Sequence, residues 1–379
     1  MNNKHKTLIA VSVSVIVTAL LTFTASSWYF GAIDTSKLSA ALGILDKYYY
    51  QKPDLEKLDE AATAGAVSAL GDPYTEYMNK DEWESFSQQL EAEYCGIGVV
   101  VTKEKLGDYL LVVSSFENSP AKEAGLDTGD KITKVEGTST AGMSVDDIVA
   151  GIKGKEGTEV TITVQKSGEN KEENIKLTRK MIDIETVYSE LLDGGFGYIQ
   201  LTSFNDGCGE KFIKHMNDLI DSGAKSLIID LRSNGGGLTK EAETIANALL
   251  PKGSVVYSTK NKAGKTDVIK TKSEGNTTIP IAVLVDGNTA SASEILSAAI
   301  KENGRGVLVG AKTFGKGLVQ TVFNFTDGSA LKVTIEQYFT PDGNDINKLG
   351  IQPDYPVELK TSADEQLDYA KTVLMGKNN

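Results

Sequence analysis

Histidine is almost missing from this chain. Its 379 residues include two, His5 and His215, and His5 lies ahead of an apolar run. A serine nucleophile in such a chain has almost no histidine to use as its base and would have to rely on lysine. Cysteine is equally scarce. Cys95 and Cys208 are far apart and form neither a metal-ligand spacing nor a disulfide framework. Basic charge is in deficit: 39 Lys and Arg against 52 Asp and Glu leave a formal charge of −13. That balance argues against nucleic acid as the main partner, because phosphate binding needs clustered cations. Beyond residue 33 no further apolar run is long enough to cross a bilayer.

What is present has room for two or three domains, with hydrophobic residues at 40% of the chain. Thr7 to Ile33 carries no charge, and Lys4, His5 and Lys6 precede it. About 20 apolar residues span a bilayer, and flanking cations favour a cytoplasmic N-terminus. The expectation is a single-pass anchor in the cell membrane, over residues 1–33, with everything after it extracytoplasmic. The competing reading is a cleaved signal peptide ending near Thr24-Ala-Ser-Ser27, which would leave a secreted protein. The length of the run and the pair Trp28-Tyr29 favour the anchor.

Three further segments follow. Residues 34–91 read as helical, with Leu38, Leu42, Leu45, Leu55, Leu58, Ala62 and Val67 at helical spacing and a break at Gly71-Asp-Pro-Tyr74. Residues 92–180 read as a small β-rich module, with strands near 99–101, 109–113, 131–135 and 159–165 and short helices at 121–124 and 145–152. Residues 181–379 alternate strands and helices. Ser226–Asp230 and Ile279–Val285 are continuous apolar runs of the kind buried on both faces of a parallel sheet. The alternation predicts a mixed sheet with crossover helices. Lys260–Asn276 is polar and reads as a surface excursion.

In open α/β sheets, sites form beyond the carboxyl ends of strands. Two such ends stand out. Leu284-Val-Asp-Gly-Asn-Thr-Ala-Ser291 runs into a helix, and Asp230-Leu-Arg-Ser-Asn-Gly-Gly-Gly237 runs into another. Backbone N–H groups at a helix start favour an anion, and glycines let amides approach a carbonyl closely. Ala292 with Gly236 or Gly237 would supply an oxyanion hole, each donor supporting about 3–4 kcal/mol of transition-state stabilisation. Lys316, flanked by Phe314, Gly315, Gly317 and Leu318, fits a buried base. A lysine poised near pH 7–8 needs a downward shift of roughly three units, on the order of 4 kcal/mol, and desolvation can supply it. Gln320 lies four residues on, the same face if both sit on one strand. Plainer readings compete. Thr289, Ser291 and Ser293 would be helix caps, Lys316 a solvated turn lysine, Glu294 a first-turn charge favoured by the helix dipole, and His215 a structural mid-helix residue.

Longer motifs weigh on this choice. Asn-x-x-Ala-Ser-Ala-Ser-Glu-Ile, Lys-Thr-Phe-Gly-Lys-Gly-x-Val-Gln and Asp-Leu-Arg-x-Asn-x-Gly-Gly occur in that content here. They resemble the carboxyl-terminal processing, or tail-specific, proteases of peptidase family S41. The likeness runs from about 35 to 370 and includes Gly350-Ile-Gln-Pro-Asp354. Gly235 departs from it, where the family often has proline. The resemblance implies Ser291 as nucleophile, Lys316 as general base and Gln320 as its orienting partner. Tyr94-Cys-Gly-Ile-Gly98 and Val99, with Ser119-Pro-Ala-Lys-Glu-Ala-Gly-Leu and Gly129-Asp-Lys-Ile, are similar to the carboxylate-binding loop and body of a PDZ domain. Such a loop would take a terminal carboxylate, with the peptide added as a strand beside Gly98–Val101.

The expectation is thus a serine endopeptidase with an α/β protease core, a PDZ domain, an N-terminal helical segment and a transmembrane anchor. Its partners would be protein or peptide substrates with free C-termini and the membrane, with dimerisation compatible with the leucine-rich 38–70 face. No metal, nucleotide or other cofactor is implied. A non-catalytic PDZ scaffold on a degenerate core and an acyl-transfer enzyme for small thioesters are the alternatives.

Overall fold

The computed structural model describes residues 36–377, apart from residues 92, 104, 106, 117, 276–277 and 359–363. The chain divides into two compact units, Met1–Gly71 and Asp72–Asn379. The described part of the first is two helices, α1 (Ser36–Tyr48) and α2 (Leu55–Ser68). Asp54 starts α2, its carboxylate accepting the Lys57 N–H at 3.2 Å.

The second unit opens with β1 (Glu76–Met78) and α3 (Lys80–Glu91). Asn79 caps α3: its side-chain oxygen accepts the Asp81 and Glu82 N–H groups, while Glu82 accepts the Asn79 N–H. Next come β2 (Glu93–Gly96), β3 (Val99–Thr102), β4 (Leu110–Ser115), α4 (Pro120–Glu123), β5 (Lys131–Val135), β6 (Thr138–Ser139), α5 (Val145–Ile152), β7 (Glu159–Gln165), β8 (Glu172–Thr178) and β9 (Lys180–Asp183). Strands β3-β4-β5-β7-β8 form one antiparallel sheet, and β2 pairs with β9. Its core is Ile97, Leu110, Val112, Leu126, Ile132, Ile148, Ile152, Val160, Ile162 and Val164. The alternation of β7 places Val160, Ile162 and Val164 on one buried face.

The remainder is β10 (Val187–Leu192), β11 (Phe196–Leu201), α6 (Cys208–Asp221), β12 (Ser226–Asp230), α7 (Thr239–Leu249), β13 (Val255–Asn261), β14 (Thr266–Lys270), β15 (Ile281–Val285), α8 (Ala292–Glu302), β16 (Gly306–Gly310), β17 (Leu318–Asn324), β18 (Ala330–Phe339), β19 (Tyr355–Pro356) and α9 (Glu365–Lys377). The main sheet has the order β10-β11-β12-β15-β16-β19, parallel from β11 onward and antiparallel at β10. Its central strands are buried on both sides because both faces are covered. Leu227, Ile229, Ile281 and Val283 pack with Phe212, Ala242 and Ile295 of α6–α8. Ile228, Ala282 and Leu284 pack with Ala370 and Leu374 of α9. A second, antiparallel sheet has the order β1-β18-β13-β14, with β17 also on β18.

One expectation gains detail and another changes. The polar stretch beginning at Lys260, expected as a surface excursion, is at the surface and is ordered as strands. It forms most of a β13–β14 hairpin turned around Asn261–Lys265 and paired through β13 to β18. Its polarity reflects an edge hairpin with one face in water. The anchor expected over 1–33 lies outside the described residues, and among those described no helix is long and apolar enough to cross a membrane. The longest have 14 residues, about 21 Å at 1.5 Å per residue against a hydrocarbon core of ~30 Å. Among the described residues the fold is a mixed α/β core with a β-rich module, and none of their helices is long and apolar enough to span a membrane.

The carboxyl end of β12 is tied to α9 by one cation. The Arg232 guanidinium donates to both oxygens of Asp230 and both of Asp364, and Asp230 also accepts the Tyr198 hydroxyl at 2.7 Å. Asp230 is almost fully buried. Replacing Arg232 with Met would leave that carboxylate uncompensated, and losing one partner of a buried pair costs about 3–5 kcal/mol. Urea denaturation of Arg232→Met should show a loss of this size; a change under about 1 kcal/mol would place Asp230 in contact with water.

Candidate active site

Ser291 stands at the entrance of α8, where β15 has ended and the chain turns back over the sheet. Its backbone has φ 58° and ψ −117°, a conformation that L-residues rarely adopt. Such a residue costs on the order of 1–3 kcal/mol and persists only where its surroundings hold it. Here the Ser291 N–H donates to Glu294 Oε2 at 2.9 Å, and the Ser291 carbonyl accepts the Tyr338 hydroxyl at 3.1 Å. Asn234, fully buried, holds the neighbouring loop. Its carbonyl accepts the Ala290 N–H and the Ser293 hydroxyl, and its amide donates to the Leu201 carbonyl at 2.7 Å.

The glycine loop packs directly on this turn. A Cβ at Gly236 would sit 2.7 Å from the Ala290 carbonyl oxygen and 2.9 Å from the Ala292 nitrogen, so the position admits no larger residue. The Gly236 N–H is already donated to Asn234 Oδ1 at 2.9 Å. That removes Gly236 from the pair of candidate oxyanion donors. Gly237 bridges Phe204 in parallel fashion, with Gly236 O and Leu238 N making the bonds, so its own N–H faces the opposite way. Gly237 and Ala292 are the amides left over.

Lys316 follows Gly315, whose φ of 91° turns the chain at the foot of β17. Its N–H donates to Glu294 Oε2 at 2.9 Å, while Glu294 Oε1 accepts the Gly315 N–H at 2.8 Å and the Thr313 hydroxyl at 2.6 Å. One buried carboxylate therefore fixes both the Ser291 turn and the Lys316 backbone. The Lys316 ammonium lies over the Tyr74 ring, 4.8 Å from its centroid. Burial pushes its pKa below that of an ordinary lysine, and the nearby Lys332 charge pushes the same way; Glu294 and Asp72 act in opposition. Asp72 is itself held low. Burial works against its charge, but the Thr75 and Thr334 hydroxyls and the Tyr74 N–H prevail.

Ser291, Lys316 and Gln320 line one cleft of about 410 Å³, with Tyr74, Phe86, Leu90, Gly237, Leu318, Val322 and Lys332 among the other walls. Gln320 reaches it by a different route from the even spacing expected. Lys316 precedes β17, and a bulge between Val319 and Gln320 shifts the pairing with β18. Gln320 Nε2 donates to the Thr334 hydroxyl at 3.4 Å rather than to Lys316. His215 is elsewhere, its Nδ1 within 2.6 Å of Ser189 Oγ on the surface.

A second cavity, of about 370 Å³, lies between β3 and α5. Ile97, Val99, Val101, Val149 and Ile152 line it, with Lys153 at one end of α5. The loop expected at 94–98 is shorter than the sequence implied. Tyr94, Cys95 and Gly96 pair with β9, which leaves Ile97 and Gly98 as the turn. Gly98 has φ 75°, and its carbonyl accepts the Phe116 N–H and the Ser119 hydroxyl. Cys95 is buried, and burial followed by the Glu156 charge raises its pKa. Sequence reasoning gave Asn234, Tyr74 and Lys332 no role and read Glu294 only as a first-turn helix charge. The one available signal was Glu294 itself, a carboxylate in a helix whose residues 292–300 are otherwise small or apolar.

A strained serine and a half-buried lysine line one cleft of an α/β core that is joined to a β-module with a strand-helix groove, an arrangement that fits a serine-type peptidase. Comparison with known proteins agrees. Residues 195–357 match peptidase family S41, residues 112–166 a PDZ domain, and residues 22–82 the N-terminal domain of the activating protease CtpB. The last match begins inside the stretch expected to be an anchor, which corrects that reading. The carboxy-terminal processing protease CtpA of Bacillus subtilis (strain 168) is 41% identical over 337 residues, 88% of this chain and 70% of that one. A "Probable CtpA-like serine protease" of Staphylococcus aureus (strain COL) is 39% identical over 331 residues, and the chain spans 64% of its length. Among solved structures, the photosystem II D1 C-terminal processing protease superposes with a TM-score of 0.52 at 29% identity, covering 88% of this chain and 90% of that one. The chain belongs to the carboxy-terminal processing proteases of peptidase family S41.

Glu294→Gln tests the clamp. The amide keeps one acceptor oxygen and turns an NH2 donor toward N–H groups that need an acceptor. A buried donor left without an acceptor costs about 1–3 kcal/mol. Denaturation midpoints and kcat should both fall; an unchanged kcat would show that Ser291 and Lys316 are held by other contacts.

Proposed function

We propose that this chain cleaves polypeptides selected by their free C-termini, using Ser291 and Lys316. The reading rests above all on one observation: a strained serine and a lysine with a lowered pKa are fastened to the same buried carboxylate and line the same cleft. The core at 181–379 carries the chemistry and the module at 92–180 captures the tail.

In this mechanism Lys316 turns from the Tyr74 ring toward Ser291 and, as the neutral amine, takes the hydroxyl proton. Ser291 Oγ attacks the scissile carbonyl, and the Gly237 and Ala292 N–H groups receive the oxyanion. The intermediate collapses as Lys316 returns the proton to the leaving amine. Lys316 then deprotonates water, which hydrolyses the acyl-enzyme and regenerates the serine. Gln320 faces the same cleft and can bond the amine without adding the negative charge that would hold it protonated.

The apolar cavity beside β3 receives the substrate tail as an added strand. Ile97 and Gly98 offer the turn amides for its carboxylate, and Lys153, which also lines the cavity, precedes Gly154, whose N–H donates to the Cys95 carbonyl at 3.3 Å. α1 and α2 present Leu38, Leu45 and Leu55 at the surface, a face on which a second copy would pack.

An unfolded protein with an apolar C-terminus should be cut by the chain and not by Ser291→Ala. Equal cleavage by both would remove Ser291 from the mechanism. The pH dependence carries a sign. Only neutral Lys316 is active, so kcat/KM rises with pH through the free-enzyme pKa of that amine. The Lys332 charge depresses this pKa. Lys332→Met should therefore move the acidic limb to higher pH, and a limb unmoved or moved downward would contradict Lys316 as the base.

A further inference from the structure

α3 lies outside the PDZ fold, yet two of its residues, Ser85 and Gln88, line the β3–α5 groove together with Val99, Val149 and Ile152. The same residues, with Asp81 and Glu84, also border a cleft of about 560 Å³ against Asp146, Lys153 and Lys155. The positions 81, 84, 85 and 88 follow the i, i+3, i+4, i+7 stripe, so one whole face of α3 is turned toward α5. Phe86 and Leu90, spaced i and i+4, form a different face and line the cleft of Ser291 and Lys316. α3 is held firmly in this position. Asn79 caps its start, the Leu90 carbonyl accepts the Asp206 N–H at 2.9 Å, and Lys332 stands 4.7 Å over the Phe86 ring.

A peptide added to β3 presents its side chains alternately to two sides. One parity sinks onto the apolar floor of Ile97, Val99, Val149 and Ile152. The other turns outward, where an isolated PDZ domain leaves it in water. We infer that in this chain α3 forms a third wall of the groove, and that Ser85 and Gln88 read the outward-facing side chains of the substrate tail. A hydroxyl and a carboxamide both donate and accept. They suit uncharged hydrogen-bonding residues such as Gln, Asn, Ser or Thr at the penultimate position. A large apolar residue there would desolvate both groups without a partner. This rests on tail capture by the module at 92–180, and adds two residues from outside it to the specificity of the site.

The test is fluorescence anisotropy with the full chain carrying Ser291→Ala, so that bound peptide is not consumed. The probes are labelled peptides with an apolar last residue and either Gln or Phe before it, each also as the C-terminal amide. The Gln peptide with a free carboxylate should bind more tightly than its Phe counterpart. Gln88→Ala should abolish that preference. Ser85→Trp, at an exposed position that tolerates a bulky side chain, should weaken all free-carboxylate peptides by about tenfold. Unchanged affinity and unchanged preference in both variants would overturn the third wall while leaving tail capture intact. If amidated peptides bound as well as free ones, tail capture itself would fail, and this inference with it.

Discussion

The arrangement depends on one carboxylate. Glu294 is fully buried, and it receives four donors: the N–H groups of Ser291, Gly315 and Lys316 and the hydroxyl of Thr313. A buried charge without partners would be intolerable, and four charge-assisted hydrogen bonds make it stable. Because the donors come from two separate segments, satisfying the charge also fixes the distance between them. The strain at Ser291 is maintained by the same bonds. Asn234 performs a lesser version of the task for the glycine loop, joining Leu201, Gly236, Ala290 and Ser293.

The clamp also has an electrostatic consequence. Glu294 favours the charged form of Lys316, which is the wrong form for a base. Burial and the Lys332 charge prevail over it, and the net direction is downward. The clamp takes hold of Lys316 through the backbone N–H rather than through the ammonium. This leaves the side chain able to move, with the Tyr74 ring as its present neighbour. Position is thus set by the main chain and protonation by the cleft walls, two requirements met by different groups.

Much of this was legible in the sequence where one physical cause dominates. The runs 226–230 and 279–285 read as strands covered on both faces, and the structure has buried strands at 226–230 and 281–285. Ser291 and Lys316 stood out as polar residues at the carboxyl end of a strand and the start of another. What was not legible depended on tertiary contact. Glu294 looked like a first-turn charge because its partners at 313–316 are distant in sequence. Gly236 looked like an oxyanion donor because nothing local shows that Asn234 already takes its N–H. The Lys316–Gln320 spacing argument assumed an unbroken strand, and the bulge at Val319–Gln320 breaks it. The β13–β14 hairpin was hidden by its polar outer face. The apolar stretch before residue 34 suggested an anchor, yet the match to the N-terminal domain of the activating protease CtpB begins at residue 22, inside that stretch.

In the proposed mechanism neutral Lys316 makes Ser291 nucleophilic. The most direct measurement is the rate of covalent labelling by a serine-directed fluorophosphonate, followed by intact mass and peptide mapping across pH. A single adduct on Ser291, forming faster as pH rises and lost in Lys316→Ala, is the predicted result. An adduct at another residue, or Ser291 labelled at the same rate without Lys316, would contradict the account.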